Sequence, residues 1–197
     1  VVDGHAPGLI GKDARKYIEA GISTDHECFT KEEALGKIKH GMKIQIREGS
    51  AAKNFDALIG LLNEYPDSIM FCSDDKHPND LVSGHINLLA KRAVELGIDA
   101  MNVIRATSYN PVKHYGLDVG LLQEGDPADF IVVNNLEEFK VKSVFIDGEK
   151  VSEEGVSLIK SVEEEVVNYF NCSRIAESDI EQPHPGPPQR EGEPTCL

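Results

Sequence analysis

The sequence predicts an α/β protein: the C-terminal half of a metal-dependent (β/α)8 TIM barrel, followed by a small β-rich domain. Two observations carry this. Strand-like and helix-like runs alternate from Val1 to Tyr115. Three of the strand-like runs end in metal-binding residue types, namely Val1-Val2-Asp3-Gly4-His5, Gly21-Ile22-Ser23-Thr24-Asp25-His26-Glu27 and Ile69-Met70-Phe71-Cys72-Ser73-Asp74-Asp75. A (β/α) barrel assembles its chemistry from residues at the C-terminal ends of several parallel strands.

The elements follow in order. After the His5 loop, Asp13 to Ala20 carries helix formers and stops at Gly21, and Ile22 to Thr24 forms a short strand. Thr30-Lys31-Glu32-Glu33 has the spacing of a capping box, with Thr as N-cap and Glu at N3, so a helix opens there and runs to Gly41. Met42 to Ile46 alternates apolar and polar residues and leads into Arg47-Glu48-Gly49-Ser50. Ala51 to Tyr65 sets Phe55, Leu58, Ile59 and Leu62 on one helical face, closed by Pro66-Asp67. Ser68 to Cys72 is the next strand, and helices are predicted over Leu81–Leu96 and Ala100–Thr107.

Alternation of this kind calls for βαβ units and a parallel sheet. Right-handed crossovers then bring every strand-to-helix loop to one rim, so His5, His26, Glu48 and Asp74 are expected to converge. Four units amount to half of an eight-fold barrel, with the other half expected upstream of Val1. The pattern changes after Gly116, where Leu117–Leu122, Asp129–Val133 and Val141–Ile146 read as strands. Val156–Tyr169 reads as a further strand and short helix, and from Gln182 onward the prolines predict a disordered tail. The expected domains are residues 1–115, 116–170 and 171–197.

Composition narrows the function. The chain has 197 residues and a net charge of −14, which argues against nucleic acid or an anionic membrane as partner, because phosphate binding needs clustered Lys and Arg. The acidic run Glu163-Glu164-Glu165 reads as solvated surface. Cys28, Cys72, Cys172 and Cys196 form no C-x-x-C pair and read as reduced thiols. No apolar run reaches membrane-spanning length and no signal segment opens the chain, so a cytoplasmic location is expected, with a homo-oligomer left open.

His5 and His26 are the candidate imidazole ligands and Asp74 the candidate carboxylate, a set that suits Zn, Mn, Fe or Co. Such a metal acidifies bound water, and Asp74 is placed to take its proton. A single such histidine more often caps or hydrogen-bonds locally; three metal-type residues, each after its own strand, reverse that weighting. Glu27 reads as a proton donor at the substrate or as a partner that orients a ligand. Arg47, Glu48, Ser50, Asp75, His77 and His85 are the substrate-binding candidates. Against that, Ser50 reads equally as a helix N-cap with Glu48 favoured by the helix dipole, and His85 as a packed polar residue within a helix.

Taken together, Asp3-Gly4-His5-Ala6-Pro7-Gly8, Ser23-Thr24-Asp25-His26-Glu27, Arg47-Glu48-Gly49-Ser50-Ala51-Ala52-Lys53, Phe71-Cys72-Ser73-Asp74-Asp75-Lys76-His77-Pro78 and Gly84-His85 resemble the C-terminal part of the adenine deaminases, a branch of the amidohydrolase superfamily. Ala106-Thr107, Asn110-Pro111 and Gly120 through Asp129 extend the likeness to about residue 150. The resemblance implies hydrolysis of adenine, a small purine base, to hypoxanthine and ammonia at a two-metal centre favouring Mn²⁺ or Fe²⁺, with Zn²⁺ also admissible. It implies that His5 and His26 are metal ligands, that Asp74 binds metal and shuttles protons, and that Glu27 protonates the ring. The family's His-x-His pair and bridging carboxylate have no counterpart in this chain, so the chain alone is expected to be inactive. Two alternatives stay open: another cyclic amidohydrolase of dihydroorotase or hydantoinase type, and a non-catalytic barrel remnant that serves as a scaffold. The zinc nucleoside deaminases are disfavoured, because no H-x-E followed by P-C-x-x-C occurs.

Overall fold

A computed structural model describes residues 1–162, 167–169 and 171–176. Contacts divide the chain into Val1–Ile159 and Lys160–Leu197. The described residues beyond Ile159 carry no helix or strand. The acidic run at 163–165 and most of the expected tail, residues 177–197, lie outside the described residues.

The first layer is a parallel sheet of β1 (Thr24–Asp25), β2 (Lys43–Arg47) and β3 (Ile69–Cys72), in that order. Its helices are α1 (Gly11–Glu19), α2 (Lys31–Ile38), α3 (Phe55–Leu58), α4 (Leu61–Glu64), α5 (Pro78–Leu81), α6 (Ile86–Glu95), α7 (Ala100–Ile104) and α8 (Asn110–Tyr115). α2 opens as its spacing predicts: Thr30 Oγ1 accepts from Glu33 N at 3.2 Å. The Glu33 carboxylate reaches back one residue further than a capping box requires, to Phe29 N at 3.1 Å.

Strand parity sorts the side chains. Ile44 and Ile46 are fully buried, pair with Ile69 and Phe71, and join Leu58, Leu61, Leu62, Ala90 and Val103 in the core. Each such Ile, Leu, Val or Phe side chain stabilises the fold by roughly 1.5–3 kcal/mol relative to exposure. The alternate residues Lys43, Gln45 and Arg47 take the opposite parity, with Met70 and Cys72 opposite Gln45 and Arg47.

Several elements differ from expectation. Val1–Val2 is not a strand, although Ser23 N donates to Val2 O at 2.9 Å along the edge of the sheet. The predicted helix over Ala51–Tyr65 is two short helices that begin at Phe55, because Arg47 and Asn54 first close a loop. The predicted Leu81–Leu96 helix is interrupted at Gly84, whose φ of +143° no helix accommodates. The predicted end at Thr107 is passed instead by a π-helical segment, Arg105–Tyr109, that leads into α8 and ends at Gly116 in the left-handed conformation. Pro111 follows directly on the π-helical segment within one continuous helical run, so its missing N–H falls where the i→i−4 ladder is already interrupted.

The second sheet is antiparallel, with β4 (Phe130–Val133), β5 (Val141–Ile146), β6 (Glu149–Glu153) and β7 (Val156–Ser157). Phe130 and Phe145 stack at 4.5 Å between centroids. Leu117–Leu122 is not a strand; its backbone is held as a loop, with Asp129 accepting from Gly120 N and Asp126 from Leu121 N.

Candidate active site

The end of β1 and the segment before it bring two histidines together. His5 is fixed through its backbone, whose N–H donates to Tyr17 Oη of α1 at 3.1 Å. Gly4 before it passes so close to β1 that a Cβ there would lie 2.2 Å from Thr24 O. The His5 and His26 rings meet edge to face with centroids 5.4 Å apart. Glu27 joins them, Oε2 lying 3.3 Å from His5 Nε2. One ligand atom from each of the three lies within 4.8 Å of the others. Two imidazoles and a carboxylate at that spacing fit a divalent transition metal by donor chemistry.

Asp74 stands apart from this trio. It follows β3 with a φ of +42°, a left-handed backbone that Asp tolerates better than most residues. Its Oδ2 is gripped by Arg47 Nη1, while Arg47 Nη2 holds Glu27 Oε1 at 2.7 Å. Arg47 is buried and closes β2, so one guanidinium bridges the carboxylates of two strand-end loops. At Cys72, burial, reinforced by the nearby Asp74 charge, pushes the thiol pKa up to about 12.

The remaining candidates spread along the rim. Glu48 is 3.3 Å from Arg92 and lines a cavity of about 380 Å³ together with Phe29, Lys53 and Asn54. Ser50 does not cap α3. Its hydroxyl donates to Asp80 and accepts from His77 N at 2.9 Å, pinning the loop before α5. Asp75 accepts from Ala51 N at 3.3 Å. His85 is not inside a helix; it precedes α6, and its Nε2 lies 2.8 Å from Ser73 Oγ. Burial, then Lys76, lowers the His85 pKa.

Sequence reasoning missed two residues that build the site. Asn54 donates to the carbonyls of His26 (3.0 Å) and Cys28 (3.1 Å) and accepts from Arg47 N (2.7 Å). Lys37 of α2 is fully buried beneath the two histidine loops. An i,i+4 pair of Glu33 and Lys37 on a helix is the only sequence signal either left.

A layered parallel α/β sheet, with metal-type donors at its strand ends, has the form of a metal-dependent hydrolase. The amidohydrolase family profile matches residues 1–151, and the chain belongs to that family. The family implies a divalent metal. Adenine deaminases of Salinibacter ruber and Methanosarcina mazei are 55% and 56% identical over 94% and 91% of this chain. The match to the Borreliella burgdorferi adenine deaminase is 52% identical over 91% of this chain. The chain spans about a third of the length of these relatives, 34%, 33% and 34% respectively. The beta-aspartyl dipeptidase of Fervidobacterium islandicum AW-1 shares the fold, with a TM-score of 0.60 at 23% identity, over 81% of this chain and 48% of that one. Among the described residues no helix is long and apolar enough to cross a membrane.

Proposed function

We propose that this chain supplies the second half of a (β/α)8 barrel and part of the small β-domain of an enzyme that hydrolyses adenine to hypoxanthine and ammonia. The observation that supports this most is the trio His5, His26 and Glu27, with donor atoms within 4.8 Å, in a chain 55% identical to an adenine deaminase. His5 and His26 would hold the ion with Glu27 beside them, and Asp74, which Arg47 ties to Glu27, is the proposed further carboxylate; Mn²⁺ or Fe²⁺ is the proposed metal. Bound there, the ion supplies a water acidified towards neutrality.

The chain's own residues then divide the proton traffic. Asp74 takes the proton of the attacking water and passes it to the departing amino group. Glu27 gives a proton to the ring nitrogen beside C6, so that carbon accepts the oxygen, and regains one from the C6 hydroxyl as the carbonyl forms and the C–N bond to the amino group breaks. Arg47 holds both carboxylates in one mouth, and Glu48, Ser50, Asp75, His77 and His85 are the proposed contacts to the purine. Water adds, ammonia leaves, and no redox partner is needed.

The test replaces the matching segment of the Salinibacter ruber deaminase with this chain. The Mn²⁺-loaded chimera is expected to release ammonia and hypoxanthine from adenine, and H5A, H26A and D74A to abolish release. A folded, metal-loaded chimera that leaves adenine intact, or that opens dihydroorotate instead, overturns the reading.

A further inference from the structure

Beneath the two histidine loops lies a buried ionic group that the proposed reaction does not use. Lys37 Nζ donates to Asp25 Oδ2 at 2.5 Å, to Glu33 Oε1 at 2.7 Å and to Ala6 O at 2.7 Å, with Cys28 Sγ 3.7 Å away. Asp25 Oδ2 also accepts from Cys28 Sγ at 3.3 Å, and the other bonds to the two carboxylates come from backbone. Asp25 Oδ1 accepts from Glu27 N at 2.9 Å and Ala6 N at 3.4 Å. Glu33 accepts from Gly8 N at 2.7 Å and Phe29 N at 3.1 Å.

Every one of these backbone partners belongs to a histidine loop. Ala6 and Gly8 follow His5; Glu27 and Phe29 follow His26. Lys37, Asp25 and Glu33 therefore cross-link two segments that share no ladder of their own beyond Ser23 N to Val2 O. Asp25, Cys28 and Glu33 themselves have metal-ligand chemistry at suitable spacing. The ammonium stands among them, so this group is the cage of a lysine rather than a second metal site.

We infer that Lys37 is a positioning residue, whose buried ammonium sets the distance between His5 and His26 by tying both their loops to α2. Burying one ammonium and two carboxylates is costly unless each is paired, and unpairing any of them is strongly unfavourable. Such a group tolerates one arrangement only, which is what two metal ligands on separate loops need. The inference rests on the metal-centre reading for its purpose, but its geometry does not.

The test uses NMR of the full 197-residue chain. In Lys37→Met the nuclear Overhauser contact between the His5 and His26 rings is expected to disappear. The amides of Gly8, Glu27 and Phe29 are expected to exchange about tenfold faster relative to those of Ile44 and Ile46. Leu58→Ala, a core truncation away from the group, is expected to speed exchange generally while keeping the ring contact. Retention of both the contact and the exchange ratio in Lys37→Met overturns the inference. If that variant does not fold, the wild-type chain decides: its Gly8, Glu27 and Phe29 amides must share one denaturant-dependent opening, and independent openings overturn the inference. Neither readout needs metal or adenine, so failure of the deaminase reading and failure of this one are separable.

Discussion

Arg47 grips Asp74 across the mouth of the parallel sheet, and the same guanidinium holds Glu27 at 2.7 Å. A buried cation thus competes for the carboxylates that a divalent ion would use. Removing it in Arg47→Gln is expected to tighten Mn²⁺ binding. At about 4 Å and an effective dielectric near 20, one unit charge opposes another by roughly 4 kcal/mol, so even after screening by solvent a gain of tenfold or more is expected. Titration calorimetry of both chains checks this; weaker binding would mean that Arg47 organises the carboxylates instead of competing for them.

Gly4 carries the His5 loop over β1 at a separation that admits no side chain. A Cβ at this position would meet Thr24 O at 2.2 Å and Ile22 Cγ2 at 2.7 Å. Gly4→Ala is expected to cost about 1–3 kcal/mol as the backbone shifts to relieve the clash. Because His5 is the next residue, Mn²⁺ affinity should fall with it. Thermal melting and metal titration on one sample read both effects.

Asn54 satisfies three backbone groups at once, two on the His26 loop and one on Arg47. It is buried, so Asn54→Ala leaves those groups without solvent as a replacement. A loss of about 2–4 kcal/mol is expected, from the usual cost of orphaned buried polar groups. Urea unfolding measures it, and a loss well under 1 kcal/mol would show that the loop relaxes.

Lys37 gives the chain an alkaline limb of stability. Burial opposes its charge, but the hydrogen bonds to Asp25 and Glu33 outweigh burial and its pKa is raised. A raised folded pKa means a contribution fully present below the unfolded value of about 10.4 and lost as pH rises through the folded one. The stability difference between wild type and Lys37→Met should therefore hold flat from about pH 7 to 9 and shrink above about 10.4. Urea unfolding across that range checks it.

Local chemistry made the strands legible. Met42–Ile46 and Ser68–Cys72 alternate or run apolar as buried strands do, and lie within a residue of β2 and β3. Thr30 announced α2 by its capping geometry. What escaped the sequence was tertiary. Asn54 looks like one polar residue in an amphipathic helix, and only the fold reveals that it closes a loop from Arg47. Lys37 looks like a surface lysine, because nothing in its neighbours records that α2 lies across the two histidine loops. The approach of His5 to His26 was expected from the strand-and-loop pattern, but Glu27 stands in the third place that Asp74 was expected to fill, because the hold of Arg47 on Asp74 depends on where two side chains reach.

β1 is only two residues long, yet its two side chains point to opposite sides: Thr24 donates to Asp3, and Asp25 meets Lys37. Because side chains swap faces at every step, lengthening or shortening the Gly21–Asp25 approach by one residue would send an acid towards the rim and an imidazole into the lysine cage. Single-residue indels, harmless in many surface turns, are opposed here by nothing more than odd and even.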